Sequence, residues 1–120
     1  MSATTPRPLL VVGAGIAGIT ATLEAAEAGH EVVLVEREPA VGGRAIRSHH
    51  YFPKLCPPSC GMELNTRRLE RNPRVRVITG ATVTACREAN GGHEVTVTRA
   101  PAFGNDRCTG RQHERQPADR

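Results

Sequence analysis

The chain has 120 residues, which allows one small domain with a modest core. It contains no tryptophan, one tyrosine and two phenylalanines, so the core must be built from aliphatic side chains. The formal net charge of +4 comes almost entirely from arginine, and no apolar run approaches the roughly 18 residues that cross a membrane. These bounds exclude direct membrane insertion, and we expect a soluble, cytoplasmic protein.

A cluster of arginines accounts for much of the positive charge: Arg67, Arg68, Arg71, Arg74 and Arg76. Surfaces that bind nucleic acid interleave basic residues with aromatic residues that stack on bases, and this cluster contains no aromatic residue. We therefore predict no nucleic-acid partner. The cluster is typical of a solvated face or of a docking surface for an acidic partner.

The first predicted elements are a strand, a helix and a second strand. Leu9–Val12 is a continuous apolar run, typical of a strand buried on both faces of a parallel sheet. A glycine-rich turn, Gly13–Gly18, leads into an alanine-rich helix that ends at Gly29, and a second apolar run, Val32–Val35, ends on Glu36. Apolar residues at spacings of three and four predict one buried stripe on the helix: Ile16, Ile19, Leu23 and Ala26.

The glycine spacing G-x-G-x-x-G between a strand and a helix indicates a binding site for the ADP half of a dinucleotide. Gly13 allows a tight turn, Gly15 lets the backbone approach a pyrophosphate, and Gly18 lets the helix pack closely on the strands. The helix start then presents free N–H groups and a partial positive charge to the phosphates. Glu36 follows the second strand, where a carboxylate can accept hydrogen bonds from the ribose hydroxyls.

Further along the chain, the pattern predicts a helix over Met62–Arg71 and strands at Val75–Ile78, Ala81–Cys86 and Glu94–Thr98, the last two joined by a turn at residues 90–92. The fold class is therefore α/β, with a partial Rossmann-like βαβ unit followed by a β-hairpin or meander. We predict a disordered lead-in at residues 1–8, one dinucleotide-binding domain at residues 9–103, and a disordered basic tail at residues 104–120 that cannot pack.

Cys56 and Cys60 lie four positions apart in a proline-rich loop and have several possible roles. They are candidates for a redox-active pair, or for two of four ligands of an iron–sulfur cluster. A zinc site with His49 or His50 is a further reading, although the spacing is not the usual one for zinc and we predict no metal site. The remaining reading is two buried thiols in a stiff loop. Cys86 falls on a predicted strand, and we expect it in the core.

Three motifs together resemble the N-terminus of FAD-dependent oxidoreductases of the glutathione-reductase-like superfamily: the Gly13–Gly18 turn, Glu36, and Gly42-Gly43-Arg44. The segment YFPKLCPPSCG at residues 51–61, followed by NPRV at residues 72–75, is similar to the flavoprotein A subunit of heterodisulfide reductase. The resemblance is strongest to the branch found in the quinone-interacting membrane-bound oxidoreductase complex. It covers roughly residues 9–110.

This resemblance implies a cytoplasmic electron-transfer subunit that binds FAD and passes electrons to iron–sulfur centres in itself or in partner subunits, some of them membrane-associated. By position, it places Gly13, Gly15 and Gly18 at the pyrophosphate and Glu36 at the ribose. It further implies that Gly43 and Arg44 lie along the cofactor and that the backbone of Val83 lies near the adenine. It leaves the catalytic residues unknown, with Cys56 and Cys60 as the candidates.

The sequence departs from the family at Cys108-Thr109-Gly110, which begins like a ferredoxin-type cluster motif but continues with Arg111 and no later cysteine. A [4Fe–4S] cluster needs four thiolates, so we expect no ferredoxin-type cluster here. From this we expect a truncated or frame-shifted N-terminal piece that is inactive alone. Two functions remain open: the FAD-anchoring part of an electron-transferring oxidoreductase, or a non-catalytic nucleotide-binding or partner-docking fragment.

Overall fold

A computed structural model describes residues 7–47, 59–99 and 113–116 of the chain. These ranges contain two α-helices, a short 3-10 helix and six strands. In chain order they are β1 (Leu9–Val12), α1 (Ile16–Glu27), β2 (Val32–Val35), the 3-10 helix (Ala45–Arg47), α2 (Ser59–Arg71), β3 (Val75–Ile78), β4 (Ala81–Ala89), β5 (Gly92–Arg99) and β6 (His113–Gln116).

The first three strands form a parallel sheet in the order β1–β2–β3. The central strand β2 is the most buried, with Val32, Leu34 and Val35 at most 1% exposed. The predicted α/β fold with a parallel βαβ unit is thus confirmed. The predicted bounds of β1, β2 and β3 agree with the structure because each is a short apolar run between polar or glycine-rich turns.

The prediction that β1 is buried on both faces is wrong. Leu9, Leu10 and Val12 are 44%, 40% and 63% exposed. The N–H groups of Leu9 and Gly13 point toward β2, where they donate to carbonyl oxygens at 2.8 Å. Since alternate residues of a strand point their backbone groups to opposite edges, those of Leu10 and Val12 face the other edge, where no strand of the described chain pairs with them.

Helix α1 packs its apolar stripe against the sheet, with Ile19, Leu23 and Ala26 at most 3% exposed. The prediction that Ile16 belongs to the buried stripe is wrong. Ile16 is 63% exposed, because it is the first residue of the helix and no described part of the chain covers it. The helix ends at Glu27, and Gly29 (φ +100°) supplies the predicted left-handed residue of the C-terminal cap. The N–H groups of Gly29 and His30 donate to the carbonyl oxygens of Ala26 and Ala25. The core cluster comprises Ala14, Ile19, Leu23, Leu34, Met62 and Leu69.

The last three strands form an antiparallel meander in the order β4–β5–β6. β4 and β5 are longer than predicted and are joined by a two-residue turn at Asn90 and Gly91, both with positive φ, the combination that suits a tight hairpin. Of the predicted disordered tail at residues 104–120, the structure describes residues 113–116 alone. These residues form β6 and pair with β5, since strand pairing uses backbone groups and needs no apolar side chain.

Cys86 lies on β4 opposite Val95, and its side chain is exposed. The expectation of a core position is therefore wrong: residues 84–88 of β4 are all exposed, so neither face of the strand is covered at Cys86. No helix in the part of the chain that the structure describes has the length and hydropathy to cross a bilayer.

Candidate functional site

The turn between β1 and α1 uses its three glycines in three different ways. Gly13 has a φ of +97°, which favours glycine, and its N–H donates to the carbonyl oxygen of Val35 at 2.8 Å. A Cβ on Gly18 would lie 1.8 Å from the carbonyl oxygen of Gly13, so only glycine allows this close helix–loop contact. A Cβ on Gly15 would meet no atom within 4 Å. The structure therefore leaves open space beside the Gly15 backbone.

No side chain of the described residues caps the start of α1. Gly15 is the N-cap residue and makes no side-chain capping bond, and the first turn contains no acidic residue. The first intrahelical bond runs from the Ile19 N–H to the Gly15 carbonyl oxygen at 2.9 Å. The N–H groups of the first turn, together with the partial positive charge of the helix end, are available to an anion such as a pyrophosphate.

Glu36 follows the end of β2 and is only 7% exposed. Its Oε2 accepts the Ala14 N–H at 2.6 Å, and its Oε1 accepts the Glu38 N–H at 2.8 Å. The carboxylate thus lies directly against the glycine turn, and its buried charge is compensated by two backbone donors. Each carboxylate oxygen can accept more than one hydrogen bond, so further acceptor capacity remains for ligand hydroxyl groups.

The second glycine pair packs against the first turn. Gly42 donates its N–H to the Ala14 carbonyl oxygen at 2.7 Å. Gly43 has a φ of +57°, and a Cβ there would lie 3.0 Å from the Cα of Gly15. The two glycine-rich loops therefore border the same space beside Gly15. At this contact a side chain on Gly43 would press on the Gly15 backbone, whereas the space beside Gly15 itself is open.

Charged side chains surround the second loop. Arg44 follows Gly43 and is exposed, and within the described ranges its guanidinium has no recorded ion pair. Arg47, in the 3-10 helix, pairs with Glu38 at 3.2 Å. Exposed ion pairs of this kind hold their partners weakly. Both arginines thus add positive charge next to the second glycine-rich loop.

Val83 lies on β4, two residues after Ala81. The Ala81 N–H donates to the Glu36 carbonyl oxygen at 2.9 Å, which ties the start of β4 to the end of β2. Val83 itself is half-buried and pairs with Val97 next to an irregularity in the strand register. The structure thus places Val83 on the strand that begins beside Glu36.

The structure brings together most of the residues predicted for the site: Gly13, Gly15, Gly18, Glu36 and Gly43. Cys56, His49 and His50 lie outside the described residues, as do the side chain of Cys60 and the broken motif at residues 108–111. Among the described residues no group of three or more His, Cys, Asp and Glu side chains is arranged to hold a metal ion.

Sequence reasoning missed the role of Ala14. Its N–H donates to Glu36 and its carbonyl oxygen accepts from Gly42, so it connects both loops to the carboxylate. Ala14 is fully buried. Its contribution is made by backbone atoms, and the only signal in the sequence is its place between Gly13 and Gly15.

This arrangement defines a dinucleotide-binding class of protein: a parallel βαβ unit, an open glycine turn at a helix start, and a carboxylate at the end of the second strand. The family model described as FAD dependent oxidoreductase matches residues 8–101. The chain belongs to this family of FAD-dependent oxidoreductases.

The relatives also confirm the predicted resemblance to the heterodisulfide reductase A subunit. The chain is 35% identical over 105 residues to the A subunit of the ferredoxin:CoB-CoM heterodisulfide reductase of Methanosarcina mazei, covering 87% of this chain and 13% of the relative. It is 36% identical over 106 residues to an iron-sulfur A subunit of the CoB--CoM heterodisulfide reductase of Methanopyrus kandleri, covering 85% of this chain and 15% of that protein. The chain therefore spans only a small part of these relatives.

Among solved structures, the fold is similar to that of L-proline dehydrogenase from P. horikoshii. The TM-score is 0.64 at 20% sequence identity, with 78% of this chain and 20% of that chain covered. At this identity the likeness supports the fold alone. It agrees with the parallel βαβ unit and the following antiparallel strands.

Proposed function

We propose that residues 9–103 form the segment that holds the ADP half of FAD in an electron-transferring oxidoreductase related to the heterodisulfide reductase A subunit. The observation that carries the proposal is the contact between Glu36 and Ala14, which holds a carboxylate against the open backbone of Gly15. The N–H donors proposed to bind the pyrophosphate and the carboxylate proposed to bind the ribose are thereby adjacent. Membership of the FAD-dependent family supports FAD as the dinucleotide.

In this proposal each part of the chain has a distinct task. The N–H groups at the start of α1 bind the pyrophosphate, and the Gly15 backbone allows the phosphates to approach closely. Glu36 accepts hydrogen bonds from the ribose hydroxyls. Arg44 lies along the cofactor and balances phosphate charge, and the Val83 backbone borders the adenine. FAD, once bound, supplies the redox chemistry.

We further propose that the electrons pass between FAD and iron–sulfur centres of partner subunits in the cytoplasm, some of these partners being membrane-associated. The relative from Methanopyrus kandleri is itself named as an iron-sulfur subunit, which supports electron transfer between FAD and iron–sulfur centres. We still predict that this chain belongs to the branch of the family found in the quinone-interacting membrane-bound oxidoreductase complex. Cys56 and Cys60 stay candidates for a redox-active pair or for ligands of an iron–sulfur cluster.

Calorimetric titration of the 120-residue chain with ADP tests the proposed site. We expect weak but measurable binding, on the order of micromolar to millimolar, because few contacts must offset the freedom lost on binding. Gly15→Val should abolish it, since the valine side chain would occupy the space proposed for the pyrophosphate. The variant should still fold, because Gly15 has a φ of −79° and a ψ of −172°, which valine adopts readily.

Gly61→Val is the matched control for Gly15→Val. A Cβ on Gly61 also meets no atom within 4 Å, but Gly61 lies on α2 rather than in the glycine turn. We expect this variant to bind ADP as the unmodified chain does. Undiminished ADP binding by a folded Gly15→Val variant would refute the placement of the pyrophosphate.

A further inference from the structure

A groove between the C-terminal parts of α1 and α2 is not used by the proposed nucleotide site. Its volume is about 520 Å³, and its apolar lining includes Leu23, Ala26 and Leu64. Leu23 and Ala26 are buried core residues of α1, whereas Leu64 is 63% exposed on α2. The groove thus has an apolar floor and an exposed leucine at its side.

The rim of this groove, here called the arginine groove, carries Arg67, Arg68, Arg71 and Arg74. Arg68 pairs with Glu27, and Arg74 donates to the Gly29 carbonyl oxygen at 2.9 Å. These contacts stabilise the end of α1, so two of the four arginines have a structural role within the fold. The third, Arg67, pairs with Glu63 on the exposed face of α2.

Arg71 and Leu64, in contrast, have no contact in the described chain that would explain a cation and an exposed leucine at these positions. Among the described residues the Arg71 guanidinium has no recorded hydrogen bond or ion pair. The pairs made by Arg67 and Arg68 are exposed to solvent and therefore weak, so their charges can be shared with another carboxylate. Of the residues that line the groove, four are cationic and only Glu27 is acidic.

We propose that the arginine groove docks an acidic, amphipathic segment of a partner protein. Apolar side chains of the segment would cover Leu64 and the floor, and its carboxylates would pair with Arg71 and the neighbouring arginines. Arginine is enriched at protein interfaces because its planar guanidinium binds carboxylates in a fixed geometry. No aromatic side chain lines the groove to stack on bases, which favours a protein over a nucleic acid.

Fluorescence anisotropy with labelled probes tests the proposal on the full 120-residue chain. The first probe is a synthetic helix of about 18 residues, roughly 27 Å long, with leucine on one face and glutamate on the other. The second has lysine in place of glutamate, the third has the acidic composition in shuffled order, and the fourth is a single-stranded oligonucleotide. We expect saturable binding of the first probe alone.

Three variants localise the binding. Arg71→Glu and Leu64→Ser change exposed side chains and should each weaken binding of the acidic helix by about tenfold. Arg99→Glu makes the same charge change on β5, away from the groove, and should alter affinity by less than about twofold. ADP titration of Arg71→Glu and Leu64→Ser should match the unmodified chain, so failure of the docking proposal is distinguishable from failure of the nucleotide site.

The proposal is overturned if the acidic helix shows no saturable binding. It is also overturned if Arg99→Glu weakens binding as much as Arg71→Glu, because net charge alone would then explain the effect. Equal binding of the shuffled peptide would remove the role of the apolar floor. Tighter binding of the oligonucleotide would replace the protein partner by a nucleic acid.

Discussion

Replacement of Glu36 by glutamine tests the side chain of the candidate site that accepts two backbone hydrogen bonds. The carboxylate accepts the Ala14 N–H at 2.6 Å and the Glu38 N–H at 2.8 Å. Glutamine keeps the shape but turns one of the two oxygens into an NH2 donor. One backbone N–H must then face another donor in a position that is only 7% exposed. The substitution therefore affects the empty chain as well as the bound one.

The size of both effects follows from the lost bonds. Loss of one hydrogen bond to a charged group lowers the free energy of unfolding by about 1.5–3 kcal/mol. If the carboxylate also accepts ribose hydroxyl groups, ADP binding loses a similar amount, or roughly ten- to a hundredfold in affinity. We expect both changes in the same variant.

Two separate assays resolve these effects. Urea unfolding of the ligand-free chain, followed by far-UV circular dichroism since the chain has no tryptophan, measures stability. Calorimetry with ADP at low temperature, where the variant is folded, measures affinity. Glu38→Gln is the matched control: its side chain is 39% exposed and pairs with Arg47 at 3.2 Å. That change should cost less than about 1 kcal/mol and leave ADP affinity intact.

Each outcome bears on a different part of the reasoning. An unchanged free energy of unfolding for Glu36→Gln would refute the role of the carboxylate in holding the glycine turn. Unchanged ADP affinity in the folded variant would show that Glu36 is not a ribose ligand. A loss in Glu38→Gln as large as that in Glu36→Gln would attribute both effects to general loss of negative charge.

Two further predictions concern packing and cofactor retention. Gly18→Ala should lower the free energy of unfolding by about 1–3 kcal/mol, because its Cβ would lie 1.8 Å from the Gly13 carbonyl oxygen; an unchanged urea midpoint would contradict this. FAD should bind the 120-residue chain within about tenfold of ADP, because the proposed contacts of the described residues reach only the ADP half. After incubation with FAD and desalting, the protein should be colourless, and a stoichiometric flavin band would overturn this expectation.

Local sequence patterns were sufficient to predict the elements of the parallel sheet. The bounds of β1, β2 and β3 follow from short apolar runs, and the end of α1 follows from Gly29. The place of Glu36 at the end of β2 follows from its position after the last valine. All these features depend on neighbours along the chain, which a sequence displays directly.

Features that depend on distant contacts could not be predicted in this way. The apolar run of β1 indicates burial, yet Val12 is 63% exposed, because the described part of the chain does not cover the face on which its side chain lies. Cys86 is exposed because neither face of β4 is covered at residues 84–88, which no spacing in the sequence reveals. The pairing of β6 with β5 uses backbone groups, so a polar segment carries no signal for it.

The geometry around Ala14 explains why the sequence motifs occur together. Glu36 fixes the Ala14 N–H, and Gly42 fixes the Ala14 carbonyl oxygen, so the peptide groups on both sides of Ala14 are held before any ligand binds. A turn that is already ordered loses little conformational freedom when a pyrophosphate arrives, which favours binding. The carboxylate orders the turn through backbone bonds, and under the proposed function it would in addition accept hydrogen bonds from a ribose. A shift of either the glycine turn or Glu36 along the chain would break the Ala14 contact and with it the order of the turn.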